Sequence, residues 1–277
     1  MGKEEATIER EAIEREVIEK EEAMAELDVR SEMRKYLDAH PEGRPTLFGL
    51  KQFKKMDNLT RDVYDIEKFD DLEESIINCR NRVSADDRNY IMTIAMETAQ
   101  KKHLHLGMDF TFETFFRNYF LFRWYNIQTS QISEKKICTY PNTLKNPIYW
   151  DKEWDLTIHD IRYDVKTSVF PSWRYNNIEN ALEDKDGLIR ELYEKQSGGE
   201  DDSESIRFHY ENRLFVVCYD SSEQHNHLSV KADVVLTENA IDEFMRQYTP
   251  ENAKRLDVTK PNGEVVNLAS DIIFVIR

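Results

Sequence analysis

Two aspartates and a lysine lie in a segment where polar and apolar residues alternate. Eight residues separate Asp155 from the triplet Asp164-Val165-Lys166, and the polar pair His159-Asp160 stands in the middle. This pattern predicts a β-hairpin in which residues whose numbers sum to 319 are paired, so that Asp155 faces Asp164. Facing side chains have Cβ atoms roughly 4.5–5.5 Å apart, and like charges repel at that distance. We therefore expect a hard cation such as Mg²⁺ to compensate the two carboxylates.

The alternation also predicts two different faces for the hairpin. The apolar face would carry Leu156, Ile158, Ile161, Tyr163 and Val165, and the polar face Asp155, Thr157, Arg162, Asp164 and Lys166. One face would then pack on the core and the other would carry the chemistry.

The spacing of Asp155 and Asp164-Val165-Lys166 closely resembles the signature of the PD-(D/E)XK nuclease superfamily, which includes restriction endonucleases and resolvases. In that family a preceding helix often supplies a glutamate, and Glu113 in the aromatic run before the hairpin occupies the corresponding place. The chain departs from the pattern with Trp154 where proline is usual and with Asp164 where Glu is more common. The resemblance covers about residues 108–220.

The resemblance implies a division of roles. Asp155, Asp164, the carbonyl of Val165 and Glu113 would hold Mg²⁺ or Mn²⁺, and Lys166 would orient the attacking water and hold the scissile phosphate. The implied function is a metal-dependent endonuclease that hydrolyses nucleic acid, DNA more than RNA, in phage defence, restriction or recombination.

Other interpretations of the same residues stay open. Acids and lysines on a strand face are often simply solvent-facing, and Glu113 could pair with Arg117 one helical turn later. Glu97 is a competing helix acid. The chain could also be an inactive nuclease-fold interaction subunit, or an RNA endonuclease with the same site.

A second group of residues near the hairpin suits contact with nucleic acid. Arginine and aromatic side chains hold the phosphate backbone or stack on bases. The candidates for these roles are Arg162, Trp173, Arg174 and Tyr175. Packing of Trp173 in the core is an equal alternative.

The surrounding sequence predicts a mixed α/β (α+β) fold in three segments: a charged N-terminal helix over 1–40, a helical region over 47–106 and a nuclease-like core with a central mixed sheet over 107–277. A helix is predicted from Phe110 to Tyr125, and further helices near 175–195 and 238–248. Strands are predicted at Ile127–Ile132, Trp154–Ile158, Ile161–Phe170, Leu214–Tyr219, Asp233–Thr237 and Ile272–Ile276.

Composition and charge exclude several classes of protein. The 277 residues carry a net charge of -16, which argues against a protein that simply coats nucleic acid. Residues 1–35 hold 12 acids against 7 bases and residues 181–205 hold 9 against 3, so these segments contribute -5 and -6. The three cysteines are far apart, which favours separate buried thiols over a disulfide framework.

The chain contains no apolar run of the roughly 18 residues that a membrane span requires, and its N-terminus lacks the apolar segment of a signal peptide. We therefore expect a cytoplasmic protein that does not bind a membrane. The spacing of Ile13, Val17, Met24 and Leu27 suits either a helix lying on its own domain or an arm that contacts a second copy or a partner protein.

Overall fold

The computed structural model describes a mixed α+β protein with one six-stranded sheet. The described residues are 29, 31–39, 54–61, 63, 66–101, 103, 110–147, 153–172, 174, 175, 177–196, 211–222, 227–259 and 262–277. The chain forms two compact units, Met1–Gln128 and Thr129–Arg277. Most of the predicted helix over 1–40 lies outside the described residues, and the functional division into 1–40, 47–106 and 107–277 stays a prediction.

The first unit is helical where it is described. Its elements are helix α1 over 31–39, α2 (Lys54–Leu59), a 3-10 turn (Phe69–Asp71), α3 (Leu72–Asn81), α4 (Ala85–Lys101) and the first part of α5 (Phe112–Ile137). Trp124 and Gln128 of α5 both donate to the carbonyl of Ile66, at 2.8 and 3.0 Å. Two side-chain hydrogen bonds therefore hold the aromatic half of α5 in place, in addition to the packing of its buried aromatic residues.

The second unit contains the sheet, whose strand order is β1-β2-β3-β4-β6-β5. The strands are β1 (Thr143–Lys145), β2 (Leu156–Ile158), β3 (Ile161–Val169), β4 (Arg213–Tyr219), β5 (Arg255–Thr259) and β6 (Val265–Ile276). The helices are α6 (Ile178–Glu183), α7 (Lys185–Gln196), α8 (His227–Lys231) and α9 (Val234–Gln247). Strands β3, β4 and β6 are parallel, whereas β1, β2 and β5 pair antiparallel with their neighbours.

Both faces of the central strand β4 are buried, as expected for a parallel strand covered by helices. Leu214, Val216 and Cys218 share one apolar core with residues of α8, α9 and the end of α5. Phe215, Val217 and Tyr219 share the other core with residues of α6 and α7. The sheet is thus the middle layer between two sets of helices.

Two predicted strands are helices in the structure. Residues 127–132 continue α5, because the chain has no Pro or Gly between Phe112 and Ile137 and its buried residues follow the helical period. Residues 234–237 begin α9, because the side chain of Asp233 caps that helix by accepting a hydrogen bond from the amide of Leu236 at 3.1 Å. The strands predicted within 154–170, 214–219 and 272–276 are confirmed.

Cys79 and Cys218 are buried and Cys138 is half-buried, and all three are free thiols. Within the described part of the chain, no helix combines the length and the apolar character needed to cross a membrane.

Candidate functional site

The predicted hairpin forms with the predicted register. Leu156 pairs with Tyr163, Thr157 with Arg162 and Ile158 with Ile161, so every pair sums to 319. The turn residues His159 and Asp160 have φ angles of 46° and 65°, which is the geometry of a two-residue type I′ turn. Asp155 directly precedes β2, and continuing the register from Leu156 and Tyr163 sets it opposite Asp164.

The two faces of the hairpin also follow the prediction. Leu156, Ile158, Tyr163 and Val165 are buried in the core that includes α8 and α9. Asp164 belongs to the opposite face but is only 4% exposed, so this part of the polar face is covered. A buried carboxylate requires partners, and Asp164 has two cationic ones.

Asp164 is held between a lysine and an arginine. Its Oδ1 atom pairs with the ammonium of Lys166, and its Oδ2 atom lies 3.2 Å from Nε of Arg213. Arg213 is itself 4% exposed, and its guanidinium lies 5.2 Å from the centre of the Tyr193 ring. Lys166 keeps 41% of its side chain exposed. One cation of this pair is therefore fixed in the core and the other reaches solvent.

Asp155 has a different environment. Its Oδ2 atom accepts a hydrogen bond from the amide of Val165 at 2.8 Å, and among the described residues no ion pair within 4.0 Å includes it. Burial, together with the nearby charges of Glu134 and Asp164, raises the pKa of Asp155 to about 7, against the opposing effects of Lys166 and of the hydrogen bond from Val165. Asp155 is the carboxylate of this group whose charge is least compensated.

Glu134 is the third carboxylate of the group, and its role was not predicted. It lies in the last turn of α5, where its Oε2 atom is 3.5 Å from Nζ of Lys145 on β1. Burial raises the pKa of Glu134, and the charges of Lys145 and Lys166 oppose that shift. The sequence held a signal for Glu134. The absence of Pro and Gly between Phe112 and Ile137 indicates one continuous helix, and Glu134 lies at the end of that helix, shortly before β1.

Glu113 lies elsewhere on α5. Its carboxylate is 51% exposed and 3.7 Å from the guanidinium of Arg88, while Arg117 pairs with Glu73. Glu113 and Glu134 are 21 positions apart on α5, about 31 Å at the helical rise of 1.5 Å per residue. One helix cannot present both carboxylates to a single ion, so Glu113 and Glu134 are alternative candidates for the helix acid, and the role of Glu113 stays a prediction. Glu97, the competing acid, is exposed on α4 in the first unit.

The residues predicted to contact nucleic acid are not gathered in one place. Arg162 is exposed, and its guanidinium lies 5.0 Å from the centre of the Trp154 ring. Arg174 is exposed beside Tyr175. Tyr175 itself is 6% exposed, and its hydroxyl donates to Asp184 at 2.9 Å, so its ring packs in the core and cannot stack on a base. Trp173 lies outside the described residues.

The described residues include no group of three or more His, Cys, Asp and Glu side chains already arranged to hold a metal ion. The donor set nevertheless suits a hard divalent cation, because Glu134, Asp155 and Asp164 offer carboxylate oxygens and Asp155 has no ion-pair partner among the described residues. For Asp164 to become a ligand, Lys166 must release Oδ1. Because 41% of the Lys166 side chain is exposed, its ammonium has room to turn toward solvent without a change in the sheet.

The structure has a cleft of about 300 Å³ whose lining includes sequence neighbours of these acidic residues. Its lining includes Trp154, which directly precedes Asp155, and Asn212, whose carbonyl accepts a hydrogen bond from the amide of Asp164 at 3.0 Å.

Comparisons of the chain with protein-family models, with curated proteins and with solved structures find no match.

Proposed function

We propose that the protein is a metal-dependent nuclease of the PD-(D/E)XK type, with its site formed by Glu134, Asp155, Asp164 and Lys166. The observation that carries this proposal is the placement of Asp155. It is a half-buried carboxylate next to two others, with its pKa raised to about 7 and without an ion-pair partner among the described residues. Keeping such a group costs stability, which is typical of a site that serves function.

The topology supports the same proposal. The sheet places an antiparallel hairpin beside parallel strands, with the acid-x-Lys triplet on β3 and helix α5 ahead of the sheet. This arrangement agrees with the mixed sheet and preceding helix that the resemblance implies. The restriction-endonuclease-like fold of the core is itself part of the proposal.

Each side chain has a role that follows from its position. Asp155 and Asp164 would hold Mg²⁺ or Mn²⁺, with Glu134 as a further ligand and the carbonyl of Val165 as the expected main-chain ligand. The ion, when bound, activates water and neutralises charge on the phosphate. Lys166, once released from Asp164, would carry its ammonium toward the phosphate and hold the attacking water. Arg213 would stay on Asp164 and keep that carboxylate in place.

DNA is the favoured substrate in this proposal, and RNA would use the same chemistry. The experiment is cleavage of plasmid DNA, single-stranded DNA and RNA with Mg²⁺ or Mn²⁺, with and without EDTA. Lys166→Ala is the test variant. Lys254→Ala is a matched control, because the Lys254 side chain is also 41% exposed and pairs with an aspartate, Asp186, at 2.5 Å.

We expect the native protein and Lys254→Ala to cleave at least one substrate, and Lys166→Ala to lose about 100-fold or more of the rate. Cleavage that survives Lys166→Ala, or that persists in EDTA, would contradict the proposed site.

A second candidate is an inactive nuclease-fold subunit that binds a partner protein. The observation in its favour is that Asp164 is already neutralised by Arg213 and Lys166. No cleavage of any substrate, together with no stabilisation by Mg²⁺ or Mn²⁺ on heating, would support this candidate over the nuclease.

A further inference from the structure

The cleft beside the acidic residues has a lining that suits a flat, uncharged ring. Trp154 is half-buried, and the guanidinium of Arg162 lies 5.0 Å from its ring centre. Arg162 is exposed, so its outer face is accessible. Both indole and guanidinium planes stack on nucleobases. Val266 and Leu268 add apolar surface to the lining.

The charge of the cleft argues against a phosphate as its occupant. Two glutamates, Glu153 and Glu211, and one arginine, Arg162, are the ionisable residues that line it. Their formal charges sum to -1, which repels an anion. A neutral ring with hydrogen-bond donors on its edge would instead complement the carboxylates, because ionised carboxylates only accept hydrogen bonds.

The walls of the cleft are held in place by the framework of the candidate nuclease site. The side-chain amide of Asn212 donates to the carbonyl of Arg162 at 3.0 Å and accepts from the amide of Ala269 at 2.8 Å. Asn212 thus links β3 to β6 across the start of β4. The next residue, Arg213, is the partner of Asp164. The cleft and the candidate nuclease site are thus built on adjacent residues, because Trp154 and Asn212 of the lining directly precede Asp155 and Arg213.

We infer that this cleft is a base-binding subsite for guanine, with Trp154 and Arg162 as stacking surfaces and the exposed carboxylate of Glu153 as the acceptor for the guanine edge. Guanine carries two adjacent donors, N1–H and the N2 amino group, which match the two oxygens of one carboxylate. Adenine and cytosine present one amino donor beside an acceptor, and uracil presents one donor between two acceptors. The inference deepens the proposed function, since it names a base preference for the same substrate.

Binding of free nucleosides to the full chain tests the inference without relying on cleavage. Isothermal titration in EDTA would compare guanosine with inosine, which differs only by lacking the N2 amino group. Adenosine, cytidine, uridine and inorganic phosphate complete the series. We expect guanosine to bind at least 10-fold more tightly than inosine and the other nucleosides, and phosphate not to compete.

Variants of the cleft assign the binding. Trp154→Ala should weaken guanosine binding at least 10-fold, and Trp154→Phe should retain it within about threefold because the ring stacking remains. Glu153→Gln removes the ionised acceptor without a change of size and should abolish the preference over inosine. Thermal denaturation of each variant confirms that it folds.

The outcomes separate the subsite from the nuclease proposal. Equal binding of all nucleosides, or guanosine binding that Trp154→Ala leaves unchanged, would overturn the subsite even if the protein cleaves nucleic acid. Guanosine binding with the expected preference would support the subsite even if Lys166→Ala shows that the proposed nuclease site is wrong.

Discussion

The carboxylate of Asp155 accepts a hydrogen bond from the main-chain amide of Val165, 2.8 Å away, and Val165 directly follows Asp164. This bond ties the residue before β2 to the middle of the acid-x-Lys triplet on β3. The bond fixes one oxygen of Asp155 but supplies no full positive charge. Among the described residues, no cationic side chain forms an ion pair with this carboxylate.

Metal binding should depend on pH through Asp155. Its pKa is raised to about 7, so a cation must displace a proton at acidic pH and meets an ionised carboxylate at alkaline pH. We expect Mn²⁺ or Mg²⁺ to raise the melting temperature more at pH 8 than at pH 5.5, as measured by calorimetry. The Asp155→Asn variant should lose most of this pH dependence. An equal shift at both pH values would contradict the role of Asp155 as a ligand.

Without metal, the same group should make the protein less stable as pH rises. Because the folded-state pKa lies above the unfolded value of 3.8, the folded state binds the proton more tightly, and stability falls between about pH 4 and pH 7. Asp155→Asn should therefore gain stability relative to the native chain across that range. Denaturant unfolding in EDTA at pH 4.5 and 8 measures the difference, and a constant difference would refute it.

Glu134 should matter for activity and Glu113 should not. Glu134→Gln removes one charge from the group around Asp155, so we expect a loss of about 10-fold or more in cleavage and a smaller stabilisation by Mn²⁺. Glu113→Gln, on the same helix, is the matched control. If Glu113→Gln abolished cleavage and Glu134→Gln did not, the resemblance would have identified the helix acid better than the structure does.

Arg213 should be essential for stability. Replacement by Met leaves the buried carboxylate of Asp164 with Lys166 as its remaining cationic partner among those described, which we expect to cost about 3–5 kcal/mol in the free energy of unfolding. The double variant Arg213→Met, Asp164→Asn should recover part of that loss, since the uncompensated charge is gone. Urea denaturation of both single variants and the double variant gives the coupling, and purely additive losses would argue against the pair.

The turn of the hairpin gives a test that is independent of function. Asp160 has a φ of 65°, a conformation that glycine adopts at lower cost. Asp160→Gly should raise the melting temperature by about 1–4 °C, and Asp160→Val should lower it. Stabilisation by Val would show that the turn is not of type I′.

The sequence was most informative where local pattern determines structure. The alternation around His159-Asp160 predicted the register of β2 and β3, because a shift of one residue would move Leu156 and Tyr163 out of the core. The apolar run at 214–219 predicted the buried strand β4 for a similar reason.

The predictions from the sequence failed where distant packing or the length of a helix determines the structure. Ile127 and Ile132 favour strand locally, yet they continue α5, and this error hid Glu134 from the search for a helix acid. The partnership of Asp164 with Arg213 joins residues 49 positions apart, which no local pattern indicates. The cleft likewise combines residues that precede β2 and β4 with residues of β3 and β6, so its lining appears only once the sheet is assembled.

The change of strand direction at β3 has a consequence for how the protein folds. β3 meets β2 through a two-residue turn, whereas its contact with β4 closes a connection that includes α6 and α7. Short loops close sooner and at lower entropic cost than long ones. The two aspartates are therefore expected to meet early, when Lys166 on the same strand is the cation next to them, and the buried arginine that also pairs with Asp164 arrives only when the parallel half of the sheet is complete.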